Sequence, residues 1–329
     1  MLFVILGHIC NELNADGYAL GSVLPLLMRL INPVKLPLFF AISGYLFSQK
    51  NDDPSCFFFR LLRLRLVPYF FWGSFMGLVA FGMDFLRSHG NTLLFCSLLA
   101  ENYLIPFLLG NLVWYIPCLI VTELLFWLLL RLSQKNIPFL LVLTTVCTAA
   151  GYLLSANHIV KPWKFDTALT CTQFMVLGYL LRRFTEVLHK KFSLQFRAIT
   201  CTAAYLLLLF CCSLRWPELR VDMNMGTYFQ PAAFSLLAFA GICTAFSVCQ
   251  LLPAWKPLIF IGRNSLLYFV WHMYAVKLML AILRRLPGIS ALPTLLLAFL
   301  LILTSCYIVA VVCWFVNRFF WFTIGRSRS

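Results

Sequence analysis

The chain has 329 residues, of which 62% are hydrophobic and 11% charged, with a mean hydropathy of +0.89. Soluble domains carry about 25% charged residues, so the composition excludes a soluble globular protein and reads as a polytopic membrane protein; no polar stretch is long enough to fold apart, and 1–329 is expected to form a single membrane domain. The net charge of +15 comes from bases in short loops between apolar runs; that is a pattern of cytoplasmic retention, and without a basic tail or recognition motif no nucleic-acid partner is expected.

The first apolar run, MLFVILGHIC, reaches only to His8. Nine helical residues rise about 13 Å against a hydrocarbon core of about 30 Å, so the first helix is read as a truncated span. It lacks the basic n-region of a cleavable signal peptide. A histidine at a span is costly unless it faces protein or water, and its ordinary pKa of about 6.5 suits proton transfer at neutral pH. Glu12 reaches His8 if the helix continues that far. The plain alternative is an interfacial histidine bonded to a neighbour.

A second span is expected over 34–47, where Pro37 starts or breaks the helix and Gly44 beside Ser43 permits close helix contact. A basic segment follows, FFFRLLRLRLVPYFFW at 57–72. At about 100° per residue Arg60 and Arg63 share a helical face, with Arg65 about 140° from Arg60. Such a segment holds anionic lipid heads or the phosphates of a nucleotide-bearing donor, which suit arginine's fork. The third span is expected over 67–86. The run 92–109 is apolar but broken by Glu101, Asn102 and Pro106, and reads as an interfacial or re-entrant segment lying against protein or water.

The fourth span, 112–130, buries Glu123, and a carboxylate there needs a partner; Trp114 and Tyr115 are interface anchors or cavity lining. Further spans are expected at 137–154, 167–181, 198–214, 228–251, 258–283 and 292–316. In the ninth, Asn264, Tyr268 and His272 recur at i, i+4 and i+8 with Ser265 on the same side; this stripe lines a substrate cavity or bonds to other helices. Arg263 is placed near the cytoplasmic end and Lys277 deep or snorkelling. The fold class is therefore all-α, a polytopic membrane bundle of about ten transmembrane helices.

Alternate loops differ in basic charge. Lys50, Arg60, Arg63, Arg65, Arg131, Lys135, Arg182, Arg183, Lys190, Lys191, Arg197, Lys256, Arg318, Arg326 and Arg328 make fifteen on one side. Arg29, Lys35, Arg87, Lys161, Lys164, Arg215, Arg220, Arg284 and Arg285 make nine on the other. The richer side is cytoplasmic, which puts both termini in the cytoplasm and the loop after His8 outside. The thirteen cysteines include no CxxC and no Cys/His zinc spacing, so no metal is expected. There is no nucleotide-binding glycine loop, nucleophile elbow or HExxH. From residues alone, a ten-span enzyme and a glycan flippase or exporter stay equally open.

Taken in order, LGHI at 6–9, PLFFAISGYLF at 37–47, RLLRLRLVPYFFW at 60–72, WYIPCLIVTELL at 114–125 and GRNSLLYFVWH at 262–272 resemble the integral-membrane acyltransferase family 3, the bacterial sugar and polysaccharide O-acetyltransferases, including the fucose 4-O-acetylase-like branch. The resemblance covers essentially the whole chain. It implies a multi-pass protein of the bacterial cytoplasmic membrane that uses acetyl-CoA, or another acyl-CoA, from the cytoplasm. The acyl group goes to a hydroxyl of a glycan or lipid-linked saccharide, with membrane lipids as the other partner. His8 matches the family's essential histidine, and Arg60, Arg63 and Arg65 match its cytoplasmic arginine-rich segment, where they are expected to meet the donor's phosphates; Glu12, from its own spacing, is the candidate to orient the imidazole. Ser43, Trp114, Glu123, Asn264, Tyr268 and His272 are the candidates for acceptor binding. The family's arginine about eleven residues before the histidine has no counterpart after Met1, which implies a misplaced start or an inactive truncated homologue.

Overall fold

A computed structural model describes residues 1–47, 53–157, 161–285 and 292–325. Lys50, Arg326 and Arg328 of the charge count lie outside the described residues. The described chain is almost entirely helical: α1 (Leu2–Ala15), α2 (Val23–Lys35), α3 (Pro37–Tyr45), α4 (Pro54–Leu61), α5 (Val67–Arg87), α6 (Thr92–Leu99), α7 (Ile105–Leu108), α8 (Tyr115–Leu132), α9 (Ile137–Ser155), α10 (Phe165–Lys191), α11 (Leu194–Arg215), α12 (Pro231–Leu251), α13 (Lys256–Arg263), α14 (Ser265–Leu283) and α15 (Thr294–Phe319). Residues 62–66 and 100–104 form π turns, and Val221–Asp222 pairs with Thr227–Tyr228 in a short hairpin. Helix starts follow local chemistry: Asp53, Asn91, Asn136 and Ser193 each accept a hydrogen bond from the backbone N–H three residues on, satisfying one of the unpaired donors of the first turn.

Among the described residues, eight helices are long and apolar enough to cross a membrane. The all-α polytopic bundle read from the sequence is the observed class, with several boundaries corrected. The first helix does not stop at His8 but runs to Ala15. The second candidate span starts at Val23, not near residue 34; Leu36 keeps helical dihedrals between α2 and α3, so Pro33 and Pro37 do not stop it. Arg29 and Lys35, counted above as loop charges, therefore lie within this helical stretch. Pro54–Arg87 forms one 34-residue stretch, about 51 Å long and longer than the roughly 30 Å hydrocarbon core. The ninth span is split, because Asn264 at φ −106° and ψ 21° separates α13 from α14. The sixth, α10, is 27 residues long and too polar to count among the eight, since it buries Asp166, Thr167, Thr170, Thr172 and Gln173.

The described chain divides into two compact units. The first comprises 1–39, 186–221 and 232–321. In it Ile5, Ile9 and Leu13 form a fully buried stripe on α1, which packs on α2, α14 and α15. The Arg284 guanidinium donates to Asp16 through Nε (2.9 Å) and Nη2 (2.5 Å), and Thr294 Oγ1 donates to Ala19 O at 2.7 Å. The C-terminal ends of α1 and α14 thus lie at the same end of this unit, as the alternate-loop count requires of Arg284 and the loop after His8.

The second unit comprises 40–185, 222–231 and 322–329. Lipid supplies no hydrophobic drive between helices, so small residues that admit close backbone contact decide the packing. A Cβ at Gly44 would overlap Met175 O, and a Cβ at Gly178 would overlap Ala41 O. The contact between α3 and α10 is therefore reciprocal, backbone on backbone, and the close approach expected at Gly44 is observed. Gly73 and Gly77 on α5 do the same for the rings of Phe107 and Tyr103, while Asn102 donates to Asp84 at 3.1 Å. These contacts hold the segment 92–108 against α5; its π turn falls at Glu101 and Asn102, where the sequence breaks.

Candidate active site

In the second unit, Ser43 of α3, Arg60 of α4, Arg65 of the first π turn and Glu123 of α8 line one cavity of about 70 Å³, closed by Leu46, Phe47, Phe57 and Leu61. Arg65 donates to Glu123 Oε1 from Nε at 3.1 Å and from Nη2 at 2.7 Å. This is the partner that the intramembrane carboxylate needs. The helical-wheel expectation is corrected here: Arg60 lines the cavity with Arg65, not with Arg63. A π turn closes its hydrogen bonds from i to i+5, so residues five apart come into line. Arg63 is half-buried, and its carbonyl faces Gly325. Tyr115 interacts electrostatically with Arg65, and Trp114 precedes α8, its ring 6.3 Å from that of Tyr115.

The same end of the unit carries further cations. Phe57 stacks on Trp127 at 5.0 Å, Arg131 lies 4.6 Å over the Trp127 ring, and Arg182 donates to Tyr45 O at 3.1 Å. A second, apolar cavity of about 960 Å³ runs between α5 and α6 from Leu62 to Tyr103. It is the larger of the two, but it contains none of the residues chosen from the sequence.

In the first unit, His8 on α1 faces His272 on α14, with ring centroids 5.0 Å apart and planes at 48°. His272 is 3% exposed. Its Nδ1–H donates to Tyr268 O at 2.9 Å and Phe269 O at 2.8 Å, while its buried Nε2 has no hydrogen-bond partner among the described residues. The Lys35 ammonium fills the space that a side chain at Gly7, the residue before His8, would occupy, 2.9 Å from that Cβ position. Lys35 and Lys277 both act electrostatically on His8. Glu12 is not placed as the orienting partner, because no hydrogen bond or ion pair joins it to His8 among the described residues; its charge is felt by Arg284.

The polar stripe is buried along its length, but its members differ. Asn317 donates to Asn264 Oδ1 at 2.9 Å, Asn264 Nδ2 donates to Phe260 O at 2.9 Å, and Tyr268 OH donates to Cys306 O at 3.0 Å. Asn264 and Tyr268 thus bond α14 to α15, while His272 keeps a buried polar atom unpaired among the described residues.

Sequence reasoning missed Lys35, whose place beside His8 depends on α2 packing against α1. It also missed a polar knot in the second unit. Trp163 and Lys164 both hold positive φ, 54° and 53°, a costly conformation away from glycine. They are held by Trp163 N–H to Leu109 O (2.8 Å), Trp163 Nε1 to Leu108 O (3.1 Å) and Lys164 Nζ to Asn224 O (2.9 Å). Burial lowers the Lys164 ammonium below the ordinary lysine range, while Asp166 and Asp222 act in the opposite direction. The PWK tripeptide before an acidic residue was its one sequence signal.

A family model described as an acyltransferase domain matches residues 1–314 of the chain. The chain belongs to acyltransferase family 3. It is a multi-pass membrane acyltransferase, and its family assignment spans all the candidate residues above. No curated protein and no solved structure matches this family member. Among the described residues no group of three or more His, Cys, Asp or Glu is arranged to hold a metal ion.

Proposed function

We propose that this acyltransferase moves an acyl group, acetyl first among them, from acyl-CoA to a hydroxyl of a glycan or lipid-linked sugar. The observation that carries the reading is His8: an imidazole without a hydrogen bond to any described residue, facing a buried histidine and flanked by Lys35. Such an imidazole removes the proton from an acceptor hydroxyl as that oxygen attacks the thioester carbonyl, or first takes the acyl group itself. The adjacent ammonium suits the oxyanion that develops on the carbonyl. The thiolate of CoA leaves and takes up the proton.

Donor recognition is assigned to the arginine segment. Arg65 spends Nε and Nη2 on Glu123, so most of the phosphate binding falls to Arg60 and Arg63. The cavity that Arg60 borders holds a few waters and not a nucleotide, which puts the donor's phosphates on its rim, within reach of Arg63 on the same segment. The cations gathered at this end favour a cytoplasmic location for it, in the inner membrane of a bacterium. Arg60→Gln and Arg63→Gln are expected to raise the KM for acyl-CoA about tenfold each with kcat nearly unchanged, the signature of lost uniform binding.

The deciding experiment compares membranes with and without the protein for transfer of label from acetyl-CoA to glycans, with His8→Ala alongside. The expected result is protein-dependent ester label that falls about 10²–10⁴-fold in His8→Ala. Label transfer that survives in His8→Ala removes the mechanism. A glycan that moves across the membrane unmodified would favour a transport role over this reading.

A further inference from the structure

We propose that His272 is a positioning residue that accepts a hydrogen bond from the His8 ring through Nε2 and so fixes which His8 nitrogen works as the base; this rests on the reading of His8 given above. The tautomer follows from the partners. Both groups at His272 Nδ1 are backbone carbonyls, at 2.9 and 2.8 Å, and carbonyls only accept. Nδ1 therefore carries the proton, and in the neutral ring Nε2 carries a lone pair. That lone pair is buried and unpaired among the described residues, and an unsatisfied buried acceptor is destabilising. Such an atom is kept where it has work to do.

The ring facing it is His8, with centroids 5.0 Å apart. His8 has no hydrogen bond to any other described residue, and rotation about its side-chain torsions turns one ring nitrogen toward His272. When His8 donates its N–H to His272 Nε2, its second nitrogen is left bare and directed away from α14, available to an acceptor hydroxyl. The arrangement parallels a carboxylate behind a catalytic histidine in holding tautomer and orientation, with a neutral imidazole in the carboxylate's place. It also explains why Asn264 and Tyr268 have their polar atoms paired, each with a bond to α15, while His272 does not. Those two bonds fix the α14 face, and the Nδ1 bond to the backbone of its own helix fixes the ring upon it. Glu12, which the sequence offered for the orienting role, lies toward the Asp16–Arg284 pair instead.

The test uses the full-length protein in membranes with labelled acetyl-CoA. His272→Leu keeps the apolar packing but has no acceptor, and its kcat is expected to fall about 10–100-fold with the KM for acetyl-CoA unchanged. His272→Gln places a carboxamide oxygen near the position of Nε2 and is expected to restore most of the rate. His272→Asn reaches only the position of Nδ1 and is expected to stay low. Full activity in a folded His272→Leu protein, or equal rates in the glutamine and asparagine variants, overturns the proposal; the second comparison decides the matter if the leucine variant does not fold. A spectroscopic measurement needs no turnover. In protein labelled with ¹⁵N-histidine, the His8 ring is expected to show one protonated and one bare nitrogen, averaged in His272→Leu, and an unchanged His8 spectrum overturns the assignment. If His8→Ala keeps its activity, the reading of His8 fails and this inference with it. Loss in His8→Ala with full rate in His272→Leu leaves that reading standing and removes only the role of His272.

Discussion

Valine in place of Gly44 or Gly178 is expected to unfold the second unit or lower its stability by about 3 kcal/mol or more. The reason is the nature of the atoms in contact. A Cβ at either position lands on a backbone carbonyl oxygen, Met175 O for Gly44 and Ala41 O for Gly178. A flexible side chain yields to such an intrusion by changing rotamer, but a helix backbone yields only by moving the whole helix. The contact is reciprocal, so each glycine fails alone. Gly82 on α5 is the control, because nothing lies within 4 Å of a Cβ there and alanine is the better helix former by about 1 kcal/mol. Thermal unfolding in detergent is expected to give a large loss for Gly44→Val and Gly178→Val and none for Gly82→Ala. An unchanged midpoint in the Gly44 variant means that the two helices are not in contact.

The second large effect concerns Arg65 and Glu123. Glu123→Leu leaves the Arg65 guanidinium, 26% exposed, without its carboxylate, and Arg65→Met strands Glu123 at 13% exposed. Breaking one partner of a buried pair costs about 3–5 kcal/mol, and the partial exposure puts this one at about 2–3 kcal/mol. The double variant Arg65→Met with Glu123→Leu removes both charges and is expected to recover most of the loss, since a pair of matched apolar groups is often as stable as the ion pair. A double-mutant cycle read by thermal unfolding checks this. Strict additivity of the two single losses rules out the pairing. Arg65→Lys keeps the charge but loses the two-pronged donation from Nε and Nη2, and is expected to fall between wild type and Arg65→Met.

The all-helical membrane class follows from composition and the length of the apolar runs, because lipid leaves the backbone no other way to satisfy its polar groups in a run of that kind. His8, Glu123 and the Asn264–Tyr268–His272 stripe stood out for the same reason: each is a polar side chain in apolar company, and its cost is visible in one dimension. Gly44 was legible as a close-packing position. The sequence boundaries failed where hydropathy and helix geometry part. Arg29, Asn32, Lys35 and the prolines Pro25, Pro33 and Pro37 interrupt the apolar run before Leu38, yet the backbone stays helical through them. At Arg263 and Asn264 the opposite holds: the expected span 258–283 ran through a short polar break, and the helix stops there.

What each of those polar residues meets was decided by tertiary structure. Glu123 needed a cation, and nothing in the chain order singled out Arg65, 58 positions away, above Arg60 or Arg63. The π turn made the choice by changing the register that an ideal helical wheel assumes. His8 needed a neighbour, and local spacing offered Glu12 at i+4, but the packing of α1 on α14 supplied His272 and the packing on α2 supplied Lys35. The sequence by itself determined the membrane class, the family and which side chains are too polar for their surroundings, because those depend on composition and local pattern. The pairing of those side chains was settled only in three dimensions, because it depends on how helices far apart in the chain come to share a face.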